Sequence, residues 1–151
     1  MPESWTTRIN RWETNLFPAW RGTGARATYI AADWREVRVR LPLSWRTRNY
    51  VGTIFGGSLY GAADPWYMIM LIHALGPAYT VWDKAATIRF KKPGRSKLFA
   101  RFLLSEDEIA EIRRVLETEP KTDRVYTVDL VDADGVVHAT VEKTISIRKR
   151  T

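Results

Sequence analysis

Between Asn49 and Trp82, 34 residues carry a single formal charge, Asp64. An acid in so apolar a stretch is costly to bury unless it is paired or hydrogen-bonded. Two roles fit it. As a general base or nucleophile it would work in a dry groove. As a cap it would open a helix restarting at Pro65, since Asp followed by Pro is a favourable helix start. Ahead of it, the adjacent Gly56 and Gly57 stand where a loop enters the segment. Glycines there leave backbone N–H groups uncovered at the positive end of the helix dipole, which suits an oxyanion or a polarised carbonyl. The same pair also reads as a glycine-eased junction packed under a sheet.

Composition removes most other chemistries. The 151 residues contain no cysteine, so no thiolate nucleophile, disulfide or Cys-based zinc site exists. Two histidines, His73 and His138, are too few for a multi-histidine metal centre, and no metal is expected. His73 reads as a core or interface residue, and His138 as exposed on the last strand. A net charge of +7 points to an anionic partner. Seven of the cations, Lys84, Arg89, Lys91, Lys92, Arg95, Lys97 and Arg101, fall in one stretch without an acid.

The elements that must position these residues follow from periodicity. Trp5, Ile9, Trp12 and Leu16 share one face of an N-terminal helix over about 4–20, ended by Pro18, Gly22 and Gly24. Val37, Val39 and Leu41 alternate with Arg38 and Arg40 as a half-buried strand. The uncharged segment predicts a buried central helix over about 57–75, because its glycines, prolines and Asp64 do not suit a membrane span. Ala86, Ile88 and Phe90 mark a strand closed by Pro93-Gly94, and Leu98–Leu104 a further one. Ser105-Glu106-Asp107-Glu108 reads as a capping box opening a short helix. Val125–Val131 and Val136–Ile147 form a hairpin in which Ala139, Val141, Ile145 and Ile147 face one way. The whole is a single α+β domain over residues 1–151, one sheet wrapped on a dominant helix.

The pattern Asn49-x-x-Gly52-x-x-Phe55-Gly56-Gly57, with Ala63-Asp64 following, resembles the hot-dog-fold thioesterases, most nearly the phenylacetyl-CoA thioesterase-like branch. The stretch Asp83–Pro93 resembles that family's next strand. The family carries His where this chain has Phe55, which marks a divergent subfamily. The resemblance implies a curved antiparallel sheet around a long central helix, and hydrolysis of an acyl-CoA thioester. It implies that Gly56 N–H and Asn49 hold the thioester carbonyl, that Asp64 acts as base or nucleophile, and that Asp83 assists. Phe55, Gly57 and Tyr60 would lie along the substrate. The alternative function is a non-catalytic hot-dog module binding an acyl chain or another apolar ligand.

Strand phase leaves one point open. If Ile88 and Phe90 face the helix, so does Lys84, and Asp83 points away unless a bulge intervenes. Lys84 would then pair with Asp64; otherwise two carboxylates share the site. Trp66, Tyr67, Met68 and Met70 read as packing residues that are also able to line an acyl tunnel. The basic stretch reads either as a solvated face or as a landing site for coenzyme A phosphates, centred on Lys91, Lys92 and Arg95 with Lys84 nearby. No separate cofactor is expected, coenzyme A being part of the substrate. Eight residues of helix, about 12 Å, separate Gly56 from Asp64, too far for one thioester to touch both in one chain. A homodimer or homotetramer is therefore expected. No membrane partner is expected, nucleic acid is not the favoured use of the charge, and the polar N-terminus predicts a cytoplasmic protein.

Overall fold

A computed structural model describes residues 1–151, an α+β arrangement of six strands and five helices. The helices are α1 (Trp5–Leu16), α2 (Pro18–Gly22), α3 (Gly56–Ala63), α4 (Trp66–Leu75) and α5 (Glu106–Val115). The strands are β1 (Arg26–Ile30), β2 (Glu36–Leu41), β3 (Tyr79–Phe90), β4 (Leu98–Leu103), β5 (Lys121–Val131) and β6 (Val137–Lys149). They form one antiparallel sheet in the order β1-β2-β4-β5-β6-β3.

Alternation builds the core. Val37, Val39 and Leu41 of β2, Leu98, Ala100 and Phe102 of β4, and Ala139, Val141, Ile145 and Ile147 of β6 are buried. They share a core with Leu59, Ala62 and Ala63 of α3 and with Trp66, Met70 and Leu71 of α4. Each buried Val, Leu, Ile, Phe or Met among them contributes about 1.5–3 kcal/mol. Trp66, Tyr67 and Met70 are core residues, and the Tyr67 hydroxyl donates to the Thr127 carbonyl at 3.1 Å.

Three features differ from the sequence reading. The central helix is two helices, because Pro65 cannot donate an N–H at the join. Strand β1 is only five residues long, and a register shift after Ala27 sets its buried positions, Ala27 and Ile30, three apart, so it shows no period of two. The N-terminal helix divides at Phe17–Pro18, and its apolar stripe faces away from the chain: Trp5, Ile9, Trp12 and Leu16 are all exposed. The Asn15 side chain both accepts from the Ala27 N–H and donates to the Ala27 carbonyl, capping the edge strand β1.

Candidate functional site

Tyr60 of α3 and Asp64, which follows the last residue of that helix in helical conformation, are four residues apart and share a face. The Tyr60 hydroxyl donates to Asp64 Oδ1 at 2.7 Å. Lys143 Nζ donates to the same oxygen at 2.8 Å and lies 3.0 Å from Asp83 Oδ2. Its third contact is the Tyr60 hydroxyl at 3.4 Å. The lysine side chain is only 1% exposed, so its charge depends on these partners, whereas Asp64 keeps 45% of its side chain open. Burial alone would lower the Lys143 pKa. The hydrogen bonds and charges of Asp64 and Asp83 outweigh that and raise it. Burial, reinforced by the bond to Asp64, raises the Tyr60 pKa, so its hydroxyl remains a donor.

A β-bulge brings Asp83 in. Residues Asp83 and Ala85 oppose the consecutive Ile145 and Thr144, so Lys84 is the extra residue of β3. Beyond it Ala86, Ile88 and Phe90 oppose the inward Lys143, Val141 and Ala139; before it the inward phase passes to Val81 and Asp83, opposite Ile147 and Ile145. The open point of strand phase resolves to Asp83. Lys84 does not reach Asp64; it pairs with Asp123 at 2.5 Å on an exposed face. Asp83 Oδ1 is buried without a partner.

The capping role for Asp64 is not found, since the N-cap of α4 is Pro65 and no side chain caps the helix. Instead its carboxylate is anchored through Oδ1 by Tyr60 and Lys143 and borders a pocket of about 500 Å³. Phe17, Trp20, Gly61, Pro65 and Ile69 are among the walls. Gly61 matters to that shape: a Cβ there would stand 2.7 Å from Thr23 Cγ2, so the end of α2 approaches α3 closely.

Gly56 lies at the other end of α3, in a separate pocket of about 470 Å³ with Asn49, Phe90, Lys91 and Lys92. As first residue of the helix, it has an N–H with no partner within α3. Asn49 holds its own turn: Oδ1 accepts from the Val51 and Thr53 N–H groups, and Nδ2 donates to Thr53 Oγ1 at 2.8 Å. The Phe55 ring is exposed and lies over Gly57, where a Cβ would collide with it. Lys91, Lys92 and Arg95 are exposed, and Arg95 does not line this pocket. His73 stacks on Trp34 at 3.8 Å. His138 is buried, contrary to the expectation of an exposed residue, and bridges the Pro93 carbonyl and Asp132.

Lys143 is the residue the sequence reading missed. Its signal was the one polar position in the alternation Ala139, Val141, Lys143, Ile145, Ile147.

The family described as a domain of unknown function, DUF4442, matches residues 7–147. The chain belongs to that family. No curated protein matches it. Among solved structures, PA5026 of Pseudomonas aeruginosa, described as a protein of unknown function and "Probable Thioesterase", superposes with a TM-score of 0.83 at 22% identity, covering 99% of both chains. The thioesterase HI1161 of Haemophilus influenzae gives 0.70 at 16%, over 97% of this chain and 93% of its own. A protein of unknown function from Chlorobaculum tepidum TLS gives 0.74 at 15%, over 96% and 94%. These likenesses establish the hot-dog fold. No helix is long and apolar enough to cross a membrane.

Proposed function

We propose that this DUF4442 protein hydrolyses an acyl thioester, with Asp64 as the reacting carboxylate. The observation that carries the reading is the anchoring of Asp64. Oδ1 accepts from Tyr60 and Lys143, Oδ2 is left without a hydrogen bond, and the residue lines a largely apolar pocket. Such an oxygen suits a base toward water or a nucleophile toward the thioester carbon. Either route ends in a carboxylic acid and a free thiol. Asp83 assists by holding the other side of Lys143. The fold shared with thioesterases agrees with this chemistry.

The carbonyl would be polarised by Gly56 N–H of a second subunit, because Gly56 and Asp64 of one chain border different pockets. Strand β3 supports the dimer. It is an edge strand, exposed at Trp82 and Phe90 and at every residue from Lys84 to Thr87. Lys91 and Lys92, beside Gly56, would meet the phosphates of coenzyme A. A second reading, a non-catalytic module that binds an acyl chain, is favoured by Phe55 and by the commitment of Asn49 to its own turn.

Thiol release from short, long and aromatic acyl-CoAs tests the proposal. The wild type is expected to release thiol from at least one, and Asp64→Asn to lower that rate by about 10²–10⁴-fold. Binding without release across the panel supports the module instead.

A further inference from the structure

We infer that the outward face of α1 lies on an anionic lipid surface. Trp5, Ile9, Trp12 and Leu16 line one side of this helix, and all are more than half exposed, as is Phe17 beyond it. Helix α1 is docked through the other side, by Thr7 and the Asn15 bonds to Ala27, so the stripe has no partner within the chain. A helix of 12 residues with two tryptophans and two aliphatic side chains on its free face suits an interface; it does not cross one. That no helix is long and apolar enough to cross a membrane bears on spanning alone. Lying on the surface is a different mode of binding and needs no span.

Charge selects the partner. Arg11, Arg21 and Arg26 line a surface pocket together with Trp12 and Leu16. Arg26 pairs in register with Arg40 across β1 and β2, and Arg21, Arg40 and Arg46 act on it electrostatically. Among the salt bridges of the chain none involves Arg21, Arg26, Arg40 or Arg46. Trp45, 86% exposed, stands beside Arg46 with the guanidinium over its ring. Aromatic rings next to unpaired guanidinium groups match the boundary of an anionic bilayer, apolar below and phosphate above. A second copy fits poorly, because a two-fold contact would set this arginine cluster against its own image. Phe17 also walls the Asp64 pocket. On the thioesterase reading, that places the acyl entrance at the lipid surface; the docking itself does not depend on that reading.

Vesicle flotation of the full chain tests the inference without any activity readout. Vesicles of phosphatidylcholine with phosphatidylglycerol are expected to carry the protein at low salt, and pure phosphatidylcholine to carry far less. Trp12→Glu/Leu16→Glu and Arg21→Glu/Arg46→Glu should each weaken flotation by about tenfold or more. All four positions are exposed, and circular dichroism confirms the fold. Lys149→Glu/Arg150→Glu makes the same charge change at the end of β6, four strands across the sheet from β1, and should leave flotation within about twofold. The inference is overturned if the wild type does not float, if the distant control loses as much as the arginine variant, or if Trp12→Glu/Leu16→Glu floats like the wild type. It is also overturned if that stripe variant splits a larger assembly, which would make the stripe a contact between copies.

Discussion

Lys143 Nζ stands 2.8 Å from Asp64 Oδ1, joining the last strand to the end of α3 through a nearly inaccessible ammonium. The bond is sequence-distant and local at once: 79 residues separate the partners. Without Lys143, Asp64 and Asp83 would face each other across an apolar floor. Lys143→Met keeps the volume and removes the charge, and Asp64 and Asp83 are both partly solvated. We expect a loss of about 1–3 kcal/mol, read as a lower urea midpoint at unchanged slope.

The same residue sets a limit on alkaline stability. Lys143 has a folded pKa raised above its ordinary value of 10.5, so its contribution is complete below that pH and is lost as pH rises through the folded value. Tyr60, raised above 10.0, acts in the same direction. Denaturation midpoints should therefore fall as pH climbs past about 10. The fall should be shallower in Lys143→Met. An equal slope in both proteins would remove Lys143 from the account.

Tyr60→Phe deletes one of the two bonds to Asp64 Oδ1 and leaves the lysine in place. Because the hydroxyl is a positioning group, kcat for thioester hydrolysis should drop about tenfold with KM little changed. The melting temperature should move by only a few degrees.

Mixing subunits tests the two-chain site. Gly56→Pro removes the N–H at the first helical position, where proline is tolerated, although its ring must displace the Phe90 edge 3.2 Å away. Neither Gly56→Pro nor Asp64→Asn should be active alone. Refolded together in equal amounts, they should recover about one quarter of wild-type activity, since half the dimers are mixed and each has one intact site. No recovery would place the whole site within one chain.

Lys91→Glu/Lys92→Glu reverses charge beside the Gly56 pocket. For coenzyme A thioesters, KM should rise about tenfold and lose its salt dependence. A thioester lacking phosphates should be hydrolysed as before.

Much of the fold was readable because it depends on short-range pattern. Alternation in β2, β4 and β6 and the uncharged run of α3 and α4 each specify what must be buried, and burial is the dominant driving force. Strand β1 is not legible because its register shift places the buried Ala27 and Ile30 three residues apart and so breaks the alternation. The spacing of Trp5, Ile9, Trp12 and Leu16 specifies one face of a helix, but periodicity does not say which face turns inward. Asn15 decides that, by bonding Ala27 across a contact no local pattern encodes.

The candidate site divides in the same way. Local chemistry alone made Asp64 conspicuous and put Gly56 about 12 Å from it on one helix. Which residue meets Asp64 depended on a single extra residue, Lys84, whose bulge reverses the phase of β3 and turns Asp83 inward. It depended equally on Lys143, buried only because the sheet carries β6 beneath α3. Side-chain type and spacing act along the chain, where a sequence displays them. Pairing of distant charges acts through space, and only the folded sheet sets that distance.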